Sequence, residues 1–207
     1  MRAWSRADPK HAEGVLESIY FDDASLTSFR EKRNGDGLKR KVRVRWYDGA
    51  AVQDGRMEAF LEIKDRIGSA RRKQRVKFLA DAALLKLAPL NDGRFVGMLR
   101  RAAEENGLFM PEGLVPTVSI RYARSRFVCP VTGSRVSLDY ALECRRANAD
   151  RLPFLGPLRA GFVLVEAKSN QADSWPFAEG LARMGFRLES FSKYGFFVER
   201  ILNGGCA

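Results

Sequence analysis

The chain holds 207 residues, enough for one domain whose core needs no covalent staples. Its 36 Lys and Arg against 25 Asp and Glu give a formal charge of +11 and a pI of about 10.0, which calls for a polyanionic partner: nucleic acid, an anionic membrane surface or a phosphate polymer. No apolar run nears the roughly 20 residues that cross a bilayer and residues 1–9 hold no secretory-type segment, so a soluble, cytoplasmic protein without a membrane span is expected.

The first strand signal is at residues 41–47, where Lys41, Arg43 and Arg45 alternate with Val42, Val44 and Trp46. Residues 58–66 form the next, with Glu58, Phe60, Glu62, Lys64 and Arg66 on one parity and Leu61 and Ile63 on the other. Asp48-Gly49 and Asp54-Gly55 lie between the two runs and predict a hairpin with a longish loop. Short helices are expected at 81–87 and at 95–106, the second ended by Gly107. Strands follow at 117–124, 135–142 and 162–168, the first two joined through the turn at Cys129-Pro-Val-Thr-Gly-Ser134. A last helix, 174–184, opens on a Ser cap with Pro176 in its first turn and closes at Gly185. With no repeat and no linker, the expectation is one α+β domain, 1–207, dominated by antiparallel sheet.

A solvated face of mixed charge is the first explanation for any charged strand. Here, however, cations recur on or beside nearly every strand: Arg43 and Arg45, Lys64 and Arg66, Lys73 and Arg75, Arg121 and Arg124, Arg135, and Lys168. If the sheet closes, one face of each strand points into a common lumen, and guanidinium forks and lysines there suit a chain of phosphates. A few acids share these strands, Glu62, Asp139, Glu143 and Glu166, the ligand type that Mg²⁺ or Mn²⁺ takes, although an ion pair is the simpler reading of each. Glu166 stands out because it and Lys168 share one face of the otherwise apolar Val163-Leu-Val-Glu-Ala-Lys168. His11 is the sole histidine, which excludes histidine triads and His-rich metal sites. Cys129, Cys144 and Cys206 form no C-x-x-C pair, which argues against a disulfide framework or structural zinc.

An ordered set of motifs spans most of the chain: Ser18-Ile-Tyr-Phe-Asp22, Arg40-Lys-Val-Arg-Val-Arg45, Phe60-Leu-Glu-Ile-Lys64, Lys73-Gln-Arg75, residues 116–124 with Tyr122 and Arg124, residues 135–139, Val165-Glu-Ala-Lys168 and Phe191-Ser-Lys-Tyr194. Together they resemble the VTC domain, the polyphosphate polymerase branch of the triphosphate tunnel (CYTH-like) enzymes. The resemblance implies an antiparallel β-barrel of about eight strands with helices packed outside. It implies phosphate binding by Arg43, Arg45, Lys64, Lys73, Arg124, Arg135, Ser192 and Lys193, with Arg45, Lys64 and Glu166 catalytic. It also implies Mn²⁺ or Mg²⁺ at Glu166, with Glu62 as a second candidate ligand, and ATP and polyphosphate as substrates. The family opens with a strand of alternating Glu and Lys before Tyr-Phe-Asp; none is visible ahead of Tyr20, so an N-terminally short domain lacking that wall is expected. Tyr20 itself reads as a packed aromatic.

Three other readings share these residues: a triphosphatase of the same fold, a polyphosphate or polyanion binding module without chemistry, and a nucleic-acid-binding protein. The last would stack bases on aromatics of the cationic face, and Trp46 falls instead on the apolar parity with Val42 and Val44, which disfavours nucleic acid.

Overall fold

The computed structural model describes residues 5–130, 133–168 and 178–204. In chain order the elements are β1 (Arg6–Ala7), β2 (Glu13–Asp22), α1 (Thr27–Asn34), β3 (Leu38–Tyr47), β4 (Val52–Gln53), β5 (Arg56–Ile67), β6 (Ala70–Asp81), α2 (Ala82–Leu87), α3 (Arg94–Glu104), β7 (Val115–Val128), β8 (Arg135–Ala147), β9 (Leu158–Arg159), β10 (Leu164–Lys168), α4 (Ala178–Arg183) and α5 (Lys193–Leu202). No helix among the described residues is long and apolar enough to cross a membrane.

All ten strands join one antiparallel sheet. Its path runs β10-β8-β7-β2-β3-β5, with β6 on the far side of β5 and the short β1, β4 and β9 paired to β7, β5 and β8. The alternation of β3 and β5 sorts their residues as expected: register sets Val42 opposite Ile63 and Val44 opposite Leu61 on one face, and Arg43 opposite Glu62 on the other. Asp54 and Gly55 both adopt positive φ, 50° and 72°, and so turn β4 back onto β5 as a primed two-residue hairpin turn does.

One face of the sheet is apolar. Ile19, Phe21, Val42, Val44, Trp46, Leu61 and Ile63 pack there against α2 and α3. α3 buries Phe95, Met98, Leu99, Ala102 and Ala103, the i, i+3, i+4, i+7, i+8 stripe of a helix laid on a core. On the opposite face α5 brings Tyr194, Phe197, Val198 and Ile201 onto Leu16, Tyr20, Val118, Ile120, Tyr122, Leu142 and Cys144, filling one end of that face with a second core. The other end is left to charged side chains.

The expected barrel is not closed. Among the described residues, β6 pairs only with β5 and β10 only with β8, so the sheet keeps two edges where a barrel requires these strands to bond. The sheet is nevertheless curled. β10 lies five strand steps from β5, about 24 Å along a flat sheet, yet the charges of Glu166 and Lys168 on β10 act on Lys64 of β5.

Five strands go beyond the sequence-based expectation, the long β2 and β6 and the two-residue β1, β4 and β9. β2 begins at Glu13, so the chain ahead of Tyr20 is strand rather than strandless; before it, the described residues supply only the two-residue β1, paired with the far end of β7. β6 went unassigned because its run Ala70-Arg-Arg-Lys-Gln-Arg puts charge on both parities near the turn and hides the period of 2. The helices α1 and α5 also lay outside the expected set, whereas α2 and α3 fall where expected. Of the helix expected at 174–184, Ala178–Arg183 is helical, and residues 174–177 lie outside the described residues.

Candidate phosphate site on the concave face

Three adjacent strands build the centre of the charged face. Register aligns Ser18 of β2 with Arg45 of β3, and Tyr20 with Arg43. On the other side of β3 it aligns Arg43 with Glu62 of β5, and Glu62 in turn with Arg75 of β6. Glu62 is the hub: its carboxylate, only 2 % exposed, accepts from Arg43 Nε at 2.7 Å and from Arg43 Nη2, and Arg45, Arg75 and Lys73 lie at 3.7, 3.6 and 3.8 Å. Burial alone would raise this acid, but the Arg43, Arg45 and Lys73 charges outweigh it and hold it down at about 2.

Hydroxyls hold the guanidinium groups from beneath. Arg45 donates to Ser18 Oγ at 3.1 Å and Tyr122 Oη at 3.0 Å, and Arg43 donates to Tyr20 Oη at 3.1 Å. Tyr20 stacks on Tyr194 with ring centroids 5.5 Å apart, so it is a packed aromatic whose hydroxyl also reaches the charged face. Desolvation pushes the Tyr20 phenol up, yet the charges of Arg43, Arg45 and Lys193 prevail and leave it at about 8.

A second cluster stands on β7, β8 and β10. Asp139, fully buried, receives Arg124 Nη2 at 2.7 Å and Lys193 Nζ at 2.6 Å. Burial would raise Asp139, but the Arg124 hydrogen bond and the Lys193 charge keep it below the usual carboxylate range. Arg124 also reaches Glu166 at 3.3 Å, and Lys168 stands 3.6 Å from that carboxylate, so Glu166, the acid singled out from the ion-pair reading, is ion-paired as well. Glu166 differs from the other two acids in being 44 % exposed. Its carboxyl is lowered too, burial being outweighed by Lys168, Arg124 and Lys193.

α5 joins the two clusters. Ser192 caps it by accepting from Gly195 N at 3.2 Å and also receives Lys41 Nζ of β3 at 3.1 Å, while the neighbouring Lys193 reaches Asp139 of β8 and lies 4.7 Å from the Tyr122 ring centroid. Lys64, opposite Lys41 and Lys73 in the register, is drawn down to about 8, first by desolvation and then by the Arg43 charge, although its side chain keeps contact with water.

The curled face thus collects Arg43, Arg45, Lys64, Lys73, Arg124, Glu166, Ser192 and Lys193 from distant parts of the chain. Arg135 shares the face by register but stands apart at the exposed start of β8, opposite Lys168 and four residues, about 13 Å, from Asp139. Sequence reasoning named Asp139 only as one of four strand acids and Arg75 only as one of the strand cations, and gave Lys41, Ser18 and Tyr122 no part in the phosphate site. Parity was available for Lys41 and Asp139; Ser18 required the β2–β3 pairing and Tyr122 the β2–β7 pairing, which no local pattern reveals. Tyr20, Tyr122 and Phe60 do share the cationic face, but the first two are buried and Phe60 lies under Arg75 at 3.9 Å, so none of the three presents an open ring to a base.

As for a metal, no group of three or more His, Cys, Asp and Glu gathers among the described residues. Glu62 already faces four cations, a setting that repels a divalent ion. Glu166 is ionised and open on one side, and one carboxylate is a sufficient protein share for Mg²⁺ when phosphates complete the shell.

The model of the VTC domain family matches residues 4–201, almost the entire chain. The chain belongs to the VTC domain family. No curated protein sequence matches this VTC domain at a significant level. The family fits the polyphosphate-related reading of the face, and the matched span takes in both clusters and the α5 cap that links them.

Proposed function

We propose that this VTC domain transfers the terminal phosphoryl group of ATP to a growing polyphosphate chain in a metal-dependent reaction on its concave face. The supporting observation is uncompensated charge: among the described residues, Arg43, Arg45, Lys64, Lys73, Arg75, Arg124 and Lys193 share a curled surface on which Glu62, Asp139 and Glu166 are their counter-charges. A bound phosphate chain would supply the missing negative charge and would line the trough between the edges β6 and β10, making it tunnel-like.

In this reading a terminal oxygen of the chain attacks the γ-phosphorus of ATP, the bond from γ-phosphorus to the bridging oxygen breaks, and ADP leaves with that electron pair. Phosphoryl transfer is catalysed chiefly by positioning and charge neutralisation, so no nucleophilic side chain is required. Arg45 and Lys64 would meet the transferring group, and Arg43, Lys73, Arg124, Ser192 and Lys193 would hold its neighbours. Ser18, Tyr20 and Tyr122 fix the guanidinium groups before substrate arrives. Mg²⁺ or Mn²⁺ would be held by Glu166 and would neutralise phosphate charge there.

The test is to incubate the purified protein with ATP and Mn²⁺ and to separate polyphosphate, ADP and free phosphate. Polyphosphate with matching ADP is expected. Free phosphate without polymer would replace the reading with a triphosphatase, and tight polyphosphate binding without turnover would replace it with a binding module.

A further inference from the structure

Beyond the Glu62 hub, the charged face of β3, β5 and β6 continues outward in two rows that hold cations alone. Register aligns Lys41 of β3 with Lys64 of β5 and Lys73 of β6, and then Lys39 with Arg66 and Arg71. Like charges set directly opposite one another on neighbouring strands are destabilising. Among the described residues, Lys39, Lys41, Lys64, Arg66 and Arg71 enter no ion pair, and only Lys73 touches an acid, Glu62 at 3.8 Å. Asp22, the carboxylate at the adjoining end of β2, is already engaged by the amides of Ser28 and Phe29 and by the Tyr194 hydroxyl. Burial is the first cause that lowers Lys41; of its charged neighbours Tyr20 raises it, and Lys32, Arg43 and Lys39 lower it further.

A solvated face would carry acids among these lysines and arginines, as the rest of the sheet does. Two consecutive rows without one, on three strands, form an electrostatic site lacking its counter-charge. Each row lies about 7 Å from the next along the strands, so Lys39 is about 13 Å beyond Arg43, toward the β5–β6 turn at Gly68. We propose that these rows form an outer binding track for a polyphosphate chain, leading it from the Glu62 cluster to the β5–β6 turn, so that the domain grips long chains more tightly than triphosphate. The track rests on the phosphate reading of the inner site and shares Lys64 and Lys73 with it, but its outer row, Lys39, Arg66 and Arg71, is a different stretch of surface and concerns a different ligand length.

The experiment compares the wild type with the Lys39→Ala/Arg71→Ala double variant, leaving Arg66 in place because its Nε donates to Gly68 O at 2.8 Å and supports the turn. Affinity is measured for inorganic tripolyphosphate and for a long-chain polyphosphate of tens of units, over a range of salt. For the long chain we expect a loss of about tenfold and a salt dependence shallower by about two, one for each cation removed, with tripolyphosphate affinity unchanged. Unchanged long-chain affinity, or an equal loss for both ligands, overturns the track. Should neither protein bind tripolyphosphate, the inner-site reading fails, and the long-chain comparison still judges the track. Arg71→Glu, at a solvent-exposed position, is the second variant, with a larger long-chain loss expected.

Discussion

Replacing Glu62 by Gln removes the charge at the hub of the concave face while keeping its shape, and the structure sets the size of the effect. The acid is 2 % exposed, bonded twice to Arg43, and brought from an ordinary 4.5 to about 2. A carboxyl lowered by that much contributes about 3 kcal/mol to folding at neutral pH. The sign follows from the lowered value: the contribution is complete above the ordinary 4.5 and is lost as pH falls through about 2. Removing one partner of a buried ion pair costs about 3–5 kcal/mol in general, which agrees. Lys73 and Arg75 are 51 % and 37 % exposed and add little, so most of the loss comes from Arg43 and Arg45. For a chain of this size, about 3 kcal/mol lowers the melting temperature by about 6–12 °C. Tripolyphosphate should restore the variant by more than it raises the wild type, because phosphate takes the place of the missing carboxylate. The assay is thermal melting of both proteins with and without tripolyphosphate. An unaltered melting temperature, or an equal ligand-induced rise in the two proteins, would refute the reasoning.

Glu166→Gln should abolish metal-dependent turnover and leave polyphosphate affinity nearly unchanged, while Arg45→Ala should weaken binding first; the separate effects are read from kcat and from direct titration. Because Lys64 lies at about 8 in the free protein, tripolyphosphate binding should take up protons and weaken between about pH 7 and pH 9. Calorimetry in buffers of different ionisation enthalpy detects that uptake, which Lys64→Arg should reduce. Tyr194→Phe removes the donor to Asp22 at 2.6 Å and should cost about 1–3 kcal/mol in urea unfolding, since Asp22 also holds the amides of Ser28 and Phe29.

The legible part of this protein was what a single strand carries in its own alternation. Lys41, Arg43 and Arg45 were separable from Val42, Val44 and Trp46 by parity alone, and their faces are those observed. The Asp-Gly turns and Gly107 were local signals of the same kind. β6 was obscured where Arg71, Arg72 and Lys73 put charge on both faces near a turn that buries neither. α5 was hidden for another reason: its apolar stripe, Tyr194, Phe197, Val198 and Ile201, is only two turns long, and the core it completes is formed by strands from earlier parts of the chain. The same long range explains the site. Asp139 gains its role from Lys193 of α5, and Glu62 from β3 and β6 on either side of β5, contacts that no single strand encodes. Closure of the barrel depends on whether two edges meet, which no strand encodes by itself.

The most direct test of a phosphate-holding concave face is a crystal structure of the protein with tripolyphosphate and Mn²⁺. The account predicts phosphate oxygens within hydrogen-bond reach of Arg43, Arg45, Lys64 and Lys193, and anomalous manganese density beside Glu166. Phosphate bound only on the outer helices α2 and α3, with the face around Glu62 free of ligand, would contradict it.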